Sequence, residues 1–412
     1  MAVYKDRIKQ PIQNIMKKIL FFGCIAAALL SFVGCEETGN DYEGTNYIYL
    51  ESEGGKTTLL GTADDPITVN VKLTKALSED LTLDFVVEGP QNALTVDGNP
   101  VTIKAGEKTA SFTIAVASVE GLSEITNYTV GLDTSAQLPD KVALEAGFSF
   151  AVVAIEIPEL TPDQLAIIDA YKTATGIDLS KYLGVVDVST VITGTDPDTY
   201  EPLAPQTIPG KTIITLSESS TADTPVLKMI TNPMGIQDYM HRLFRSLTVD
   251  NEDWYNPDNL PCFQTLLNKI NWTKTSPEIF LMSLDGLALD ADGNFSYEGQ
   301  FVPDPEYPED TYVHVPFKYY YTAYEREKLV IDELKQADPD WYYTCTANPF
   351  YMLNNDDISE DWVTDEEEGL ISCWTATEGV VSSDSMVFTF CMYACENDAD
   401  FTKVVATYTP NN

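Results

Sequence analysis

The sequence predicts a mainly β protein: an N-terminal antiparallel β-sandwich followed by a larger α+β domain with an antiparallel sheet. Three observations carry this. Residues 46–158 contain about seven short runs of alternating apolar and polar side chains, divided by turn residues, and period two is the mark of a half-buried strand. Residues 159–412 mix such runs with segments of helical spacing, strands outnumber helices, and no βαβ rhythm repeats. Hydrophobic residues make up 44% and aromatics 11% of the 412 residues, the composition of a globular chain rather than a disordered one.

Residues 1–34 read as a signal peptide. Met16-Lys17-Lys18 precede an apolar run of 15 residues from Ile19 to Val33, whereas a bilayer-spanning helix needs about 20. Met1 to Ile15 lacks this pattern, which points to Met16 as the true start. The run ends in Leu30-Ser31-Phe32-Val33-Gly34-Cys35. A small residue directly before cysteine resembles a bacterial lipobox, although Phe32 stands where leucine is usual. The resemblance implies lipidation of the Cys35 thiol and cleavage before it. A plain signal peptide with an incidental cysteine, or an uncleaved anchor, are the alternatives. Residues 35–45 then form an acidic tether. Glu36-Glu37, followed by Thr38-Gly39-Asn40-Asp41, resembles the surface-export signal of Bacteroidetes lipoproteins. That resemblance implies a bacterial outer membrane and a position facing the cell exterior; a solvated acidic linker is the other reading.

Charge narrows the function classes. There are 24 Lys and Arg against 64 Asp and Glu, a formal charge of −40. Nucleic-acid binding needs basic surface for phosphate contacts, and docking on anionic lipid needs basic patches. Neither suits this chain, so membrane contact is expected through the lipid alone. Two His in the whole sequence argue against a His-rich zinc site or a His-based triad.

Within 46–158, strands are expected at Tyr47–Leu50, Ile67–Leu73, Leu81–Val87, Ala110–Val116, Tyr128–Leu132 and Phe148–Ile157, with turns at Asp64-Asp65-Pro66, Asp97-Gly98-Asn99-Pro100, Ala105-Gly106-Glu107 and Glu120-Gly121. Ala76-Leu77-Ser78-Glu79-Asp80 opening one strand, and Val101 to Ser111 leading into another, resemble Calx-beta-like and immunoglobulin-like domains. The resemblance implies an Ig-like/Calx-beta-like sandwich, here acting as a stalk. It also raises calcium, for which Asp64, Asp65 and Asp80 are the available carboxylates; the fuller acidic cluster is missing.

The second domain, 159–412, opens with a helix. Thr161 caps, Pro162 occupies the first helical position, Gln164 completes a capping box and Gly176 ends it. Further helices are expected at Ile236–Leu247, Cys262–Ile270 and Ala323–Gln336, the last mostly charged outside. Strands are expected at Val185–Val191, Lys211–Leu216, Val226–Ile230, Ile279–Leu289, Tyr312–Tyr321, Met386–Cys395 and Lys403–Tyr408. The stretches Gly176 to Val186, Pro225-Val226-Leu227-Lys228-Met229 and Thr231-Asn232-Pro233-Met234-Gly235 resemble an uncharacterised family of gut Bacteroides lipoproteins. The resemblance implies a location and no chemistry.

Five cysteines remain beyond Cys35: Cys262, Cys345, Cys373, Cys391 and Cys395. An odd number leaves at least one unpaired in a monomer. Cys391 and Cys395 are too far apart along a strand to bridge. Buried thiols acting as small hydrophobes and a single disulfide both remain open.

Candidate chemistry is sparse. Asp290-Ala291-Asp292-Gly293-Asn294 begins like an EF-hand loop, but Gly293 and Phe301 fall at the wrong positions, so a hairpin turn is the better reading. Eight carboxylates crowd between Asp356 and Glu368 without calcium-loop spacing, as expected of a solvated acidic loop. No Gly-x-Ser-x-Gly, His-Glu-x-x-His or phosphate loop is present, and no cofactor is expected. Aromatics are the more informative signal. Trp254-Tyr255, Tyr319-Tyr320-Tyr321, Trp341-Tyr342-Tyr343 and Trp362 lie in polar company. Sugars stack their C–H faces on exposed rings, whereas core packing is the competing use. In the tyrosine triplet Tyr320 should point opposite to Tyr319 and Tyr321.

The reading that follows is an outer-membrane lipoprotein acting as a non-enzymatic surface binding protein for polysaccharide, through Trp254, Tyr255, Trp341, Tyr342 and Trp362. A structural or adhesin-like protein with a surface protein partner is the first alternative. A carboxylate-based glycoside hydrolase is the second; with so many acidic residues, finding carboxylate pairs has no weight.

Overall fold

The computed structural model describes residues 44–61, 66–90, 92–123, 125–133, 137–145, 147–154, 157, 159–194, 202–251, 261–274, 276, 278–296, 300–303, 311–314, 317–337, 346–353, 377–392 and 402–411. Residues 1–43, which hold the expected signal peptide, Cys35 and all but the last two residues of the expected acidic tether, lie outside them.

Among the described residues the N-terminal unit holds eleven strands: β1 (Asn46–Ser52), β2 (Thr58–Leu60), β3 (Ile67–Leu73), β4 (Leu81–Leu83), β5 (Phe85–Glu88), β6 (Leu94–Asp97), β7 (Val101–Ile103), β8 (Thr109–Val116), β9 (Ile125–Leu132), β10 (Val142–Leu144) and β11 (Phe148–Val153). One sheet runs β10-β1-β3-β8-β6 and the other β2-β11-β9-β5, with β4 and β7 as a separate pair. All pairings are antiparallel except β1 with β10 and β2 with β11. Alternation explains the layering. Ile67, Val69, Val71 and Leu73 of β3 and Phe112 and Ile114 of β8 are buried, and they share one core with Tyr128, Val130, Phe148 and Phe150 of the other sheet. Phe85 stacks on Phe112 across the sheets at 5.3 Å.

One expected strand resolves into two. The run Leu81–Val87 serves two sheets, because β4 pairs β7 while β5 pairs β9. Asn99 makes the switch possible: its side chain accepts from the Phe85 N–H (3.0 Å) and donates to the Phe85 carbonyl (2.9 Å). A side chain thus stands in for a neighbouring strand, a substitution invisible to hydrophobic period.

The second unit opens with α1 (Pro162–Thr175), whose Thr161–Gln164 capping box forms in both directions and whose Gly176 adopts a left-handed φ of 80°. Its sheet strands are β12 (Gly184–Thr193), β13 (Gln206–Leu216), β14 (Val226–Thr231), β15 (Phe280–Leu289) and β16 (Phe295–Ser296). Then come the separate pair β17 (Gln300–Pro303) and β18 (Thr311–His314), and the sheet strands β19 (Phe317–Tyr321), β20 (Glu378–Val381), β21 (Met386–Met392) and β22 (Thr402–Thr409). The large sheet runs β16-β15-β14-β13-β12-β22-β21-β20, with β19 also on β15, and every pair is antiparallel.

This sheet curls until its ends meet. Asn294 bridges Val380, and the Val381 N–H donates to the Gly293 carbonyl at 2.8 Å. Small size at the seam permits it: a Cβ on Gly293 would fall 2.5 Å from the Val381 carbonyl oxygen, and one on Gly379 would fall 2.9 Å from both Phe295 and Phe388. Barrels of about eight strands have interiors that side chains just fill. Here a turn helps fill it. Asn232, Met234 and Gly235 have φ of 44°, 57° and 69°, and Pro233, Met234 and Gly235 are buried against the sheet. Thr190 donates to the Met234 carbonyl, and the Met234 N–H donates to the Tyr408 hydroxyl at 2.8 Å. That hydroxyl also hydrogen-bonds Thr212 at 3.0 Å, and burial holds it far above the ordinary tyrosine pKa.

Helices α2 (Gln237–Leu247), α3 (Pro261–Ile270), α4 (Thr322–Lys328), α5 (Ile331–Ala337) and α6 (Pro349–Met352) complete the unit. The single helix expected over Ala323–Gln336 is α4 and α5, broken where the Leu329 and Val330 N–H groups bond back only three residues. Likewise the expected strand Tyr312–Tyr321 is β18 and β19 in different sheets.

The two units touch through α2. The Gln237 amide donates to Thr58 of β2 at 3.4 Å and accepts from the Met282 N–H of β15 at 2.9 Å. Gly55, in the turn before β2, lies against the Arg242 side chain, where a Cβ would fall 2.9 Å from Cδ.

Candidate functional site

Helices α2, α3, α4 and α6 form a cap on the β15–β19 margin of the large sheet. Its base is aromatic. His241 of α2 stacks on Phe280 at 5.1 Å, Phe244 packs edge-on to Tyr321 at 5.0 Å, and Trp272 donates to the Tyr321 hydroxyl at 3.0 Å. Burial, with Arg245 and Arg242 adding repulsion, pushes His241 down to a pKa of about 3. It is therefore a neutral ring, and its Nε2 has no hydrogen-bond partner among the described residues.

Around this base, charged side chains pin chain ends. Arg245 holds Asp250 through two hydrogen bonds of 2.8 Å and the Lys274 carbonyl at 2.7 Å, which fixes the chain up to Asn251. Arg326 of α4 donates to the Ile270 carbonyl at 2.7 Å and to both carboxylate oxygens of Glu278, at 2.5 and 3.1 Å. Lys269 of α3 pairs with Glu333 of α5. Next to Arg326, Glu327 is 0% exposed. Its carboxylate accepts from the Thr346 hydroxyl at 2.8 Å and from the Ala347 N–H. Burial outweighs these bonds and raises its pKa to about 7. Asn348 then caps α6 through the Phe350 N–H.

The expected ligand residues Trp254, Tyr255, Trp341, Tyr342 and Trp362 lie outside the described residues. The chain ends that bracket them lie inside. Segment 252–260 joins Asn251, held by the α2 terminus, to α3. Segment 338–345 joins α5 to Thr346, held by Glu327. Segment 354–376 leaves from Leu353 after α6 and returns to β20. The first runs from α2 to α3, the second ends at the Thr346 that Glu327 of α4 holds, and the third leaves α6, so each has an end at this cap.

Other expected positions resolve more simply. Tyr319 and Tyr321 both pack on Phe280, at 5.7 and 6.0 Å, and Tyr321 is fully buried, while Tyr320 pairs with Leu281. The middle and outer tyrosines thus take opposite faces, and Tyr321 is core. Asp290 is the hinge of a hairpin turn: its carboxylate accepts from the N–H groups of Asp292 (2.9 Å) and Asn294 (2.8 Å) and from the Asn294 amide (3.0 Å), and these bonds lower its pKa. Asp80 accepts from Lys104 at 2.8 Å and from the Ala105 N–H at 2.9 Å; Asp64 and Asp65 lie outside the described residues, as does the acidic run 356–368. Among the described residues no group of three or more metal-ligating side chains converges. Cys391 is buried in β21.

Sequence reasoning missed Glu327. It placed helix 323–336 as charged on the outside, whereas the structure buries this one carboxylate. Nothing in the local pattern Tyr324-Glu325-Arg326-Glu327-Lys328 sets it apart; its partners are 19 and 20 residues away. His241 and Phe280 are likewise brought together only by tertiary packing.

Residues 158–409 match the family model described as a domain of unknown function, DUF8472. Residues 42–150 match that described as a domain of unknown function, DUF4929. No curated protein matches the chain. Among solved structures, the crystal structure of the periplasmic chaperone SfaE is similar at 11% identity over 44% of this chain and 92% of that one, with a TM-score of 0.18. The crystal structure of CBD12 from CALX1.2 is similar at 12% identity over 45% and 80%, with a TM-score of 0.20. At these scores the architecture rests on the strand pairings themselves.

Proposed function

Given that the chain belongs to the DUF8472 family, we propose that it is an outer-membrane-anchored lipoprotein that binds polysaccharide at the cell surface without cleaving it. The lipid on Cys35 holds it to the membrane and the acidic start of the mature chain directs it outward. Trp254, Tyr255, Trp341, Tyr342 and Trp362 are the residues we assign to the glycan.

One observation carries this reading. Three segments, each bearing tryptophan in polar company, have an end at this cap, where Arg245, Glu327 and Asn348 hold the neighbouring chain. Holding the neighbouring chain in place lowers the ordering cost that ligand binding must offset. Glu327 itself, enclosed and accepting two hydrogen bonds, suits holding chain rather than exchanging protons with a substrate.

Affinity electrophoresis of the full chain in gels carrying plant, mucin and capsular polysaccharides tests this. Selective retardation by one polymer, lost on Trp254→Ala together with Trp341→Ala at unchanged melting temperature, is the expected result. Retardation that survives both substitutions removes those residues from the site. Uniform migration in every gel, with a stable protein partner recovered by crosslinking on intact cells, would favour the adhesin-like alternative.

A further inference from the structure

The outward face of the sandwich's five-stranded sheet is built like a second ligand surface. On β1 the alternation that buries Ile48 sends Tyr47 and Tyr49 outward, and Tyr49 is 41% exposed. Their ring centroids lie 6.3 Å apart and the planes are inclined by 57°. Register then lays polar side chains beside them. The Tyr49 row continues through Lys72 of β3 and Thr109 of β8, the Glu51 row through Asn70 and Ser111, and Thr68 pairs with Thr113 in the next outward row. Lys72, opposite Tyr49, donates to Glu51 of β1, so that charge pair neutralises itself. The other charged side chain on the outward positions of these strands is Asp97, on the far edge strand.

A chain of net charge −40 thus carries one sheet face whose rings, hydroxyls and amide surround a single Lys72–Glu51 pair, with Asp97 at the far edge. We propose that this face binds a single strand of neutral, soluble polysaccharide. Tyrosine offers a large amphipathic surface at low entropic cost, and two rings one strand repeat apart match consecutive sugar rings. Their inclination suits a twisted chain rather than a flat crystalline surface. Asn70, Ser111, Thr68 and Thr113 supply uncharged donors and acceptors for hydroxyls. An anionic polymer would meet the field of the whole molecule, which selects against it. The inference rests on the reading that the protein binds glycans, and extends it from the cap to the sandwich.

The test uses the full chain in native gels containing pullulan, glucomannan or galactomannan. Tyr47→Thr with Tyr49→Thr keeps strand propensity and removes both rings; Tyr47→Phe with Tyr49→Phe keeps the rings. Tryptophan fluorescence serves as the second readout, because all five tryptophans lie at residue 254 or beyond and report on the other unit. The threonine pair should weaken retardation by a neutral polymer by about tenfold at unchanged melting temperature, and the phenylalanine pair should keep most of it. Equal retardation of the threonine pair and the parent overturns the proposal; if the Trp254→Ala/Trp341→Ala variant then loses retardation, the cap reading stands alone. Retardation that depends on Tyr47 and Tyr49 with no fluorescence change on binding supports this face and removes the cap. A threonine pair that shifts a dimer to a monomer while no polymer retards the parent overturns the proposal in favour of self-association.

Discussion

Two buried titratable side chains set opposite demands on pH. His241 is held near 3, below its unfolded value, so folding releases its proton and the stability it contributes is lost as pH falls from about 6.5 toward 3. Glu327 is held near 7, above its unfolded value, so the fold takes up a proton and its stability is lost as pH rises from about 4.5 through 7. Between about pH 4.5 and 6.5 the two slopes oppose each other. The parent should therefore show a shallow profile there. Glu327→Gln keeps the shape, accepts from the Ala347 N–H through its one oxygen, turns its NH2 to donate to the Thr346 hydroxyl, and removes one slope. Its urea-unfolding free energy should rise across that window by on the order of 3 kcal/mol relative to the parent. A variant profile parallel to the parent would show that Glu327 does not titrate in the fold. Neither residue could be singled out in the sequence. Burial of Glu327 depends on partners 19 and 20 residues away, and that of His241 on Phe280 and Tyr321.

Elements were legible where local pattern decides them. Ile67–Leu73 alternates strictly and is a strand with those bounds; Thr161, Pro162, Gln164 and Gly176 cap α1 as their chemistry dictates. Runs failed where tertiary partners change within one pattern, as at Leu81–Val87, split by Asn99, and at Tyr312–Tyr321. Barrel closure was also hidden, since it depends on two glycines meeting distant strands. Gly293 has a φ of +85° with the Val381 carbonyl against it, so alanine there meets both backbone strain and a clash with main chain. Gly293→Ala should cost roughly 1–3 kcal/mol in chemical denaturation. Gly106, with φ +83° but nothing within 4 Å of a Cβ, isolates the backbone share: Gly106→Ala should cost less. Equal costs at the two positions would mean the seam is not closed as described. Thr161→Ala should cost about 1 kcal/mol, the usual worth of an N-cap.

At the scale of the whole molecule, patterning separated the β-rich first unit from the mixed second. What it could not show is that α2 serves both. Gln237 spends its amide on Thr58 and Met282 at once. Gln237→Ala should strip a partner from the buried Met282 N–H and destabilise by roughly 1–3 kcal/mol, and the melting of both units should respond, because the side chain spans them. A loss confined to one transition in calorimetry would show the units to be thermally independent. The tryptophans set among polar residues were visible as composition; the side chains that hold the chain beside them were not, because Arg245, Arg326 and Glu327 reach Lys274, Glu278 and Thr346 through the fold and not through spacing.

The central claim is binding without cleavage, and it is tested most directly by incubating the full chain with whichever polysaccharide retards it and assaying reducing ends in the same samples. The account predicts retardation with no reducing ends above the polymer-only control. Accumulating reducing ends would make the protein a glycosidase, and a chain that no polysaccharide retards would not be a glycan-binding protein.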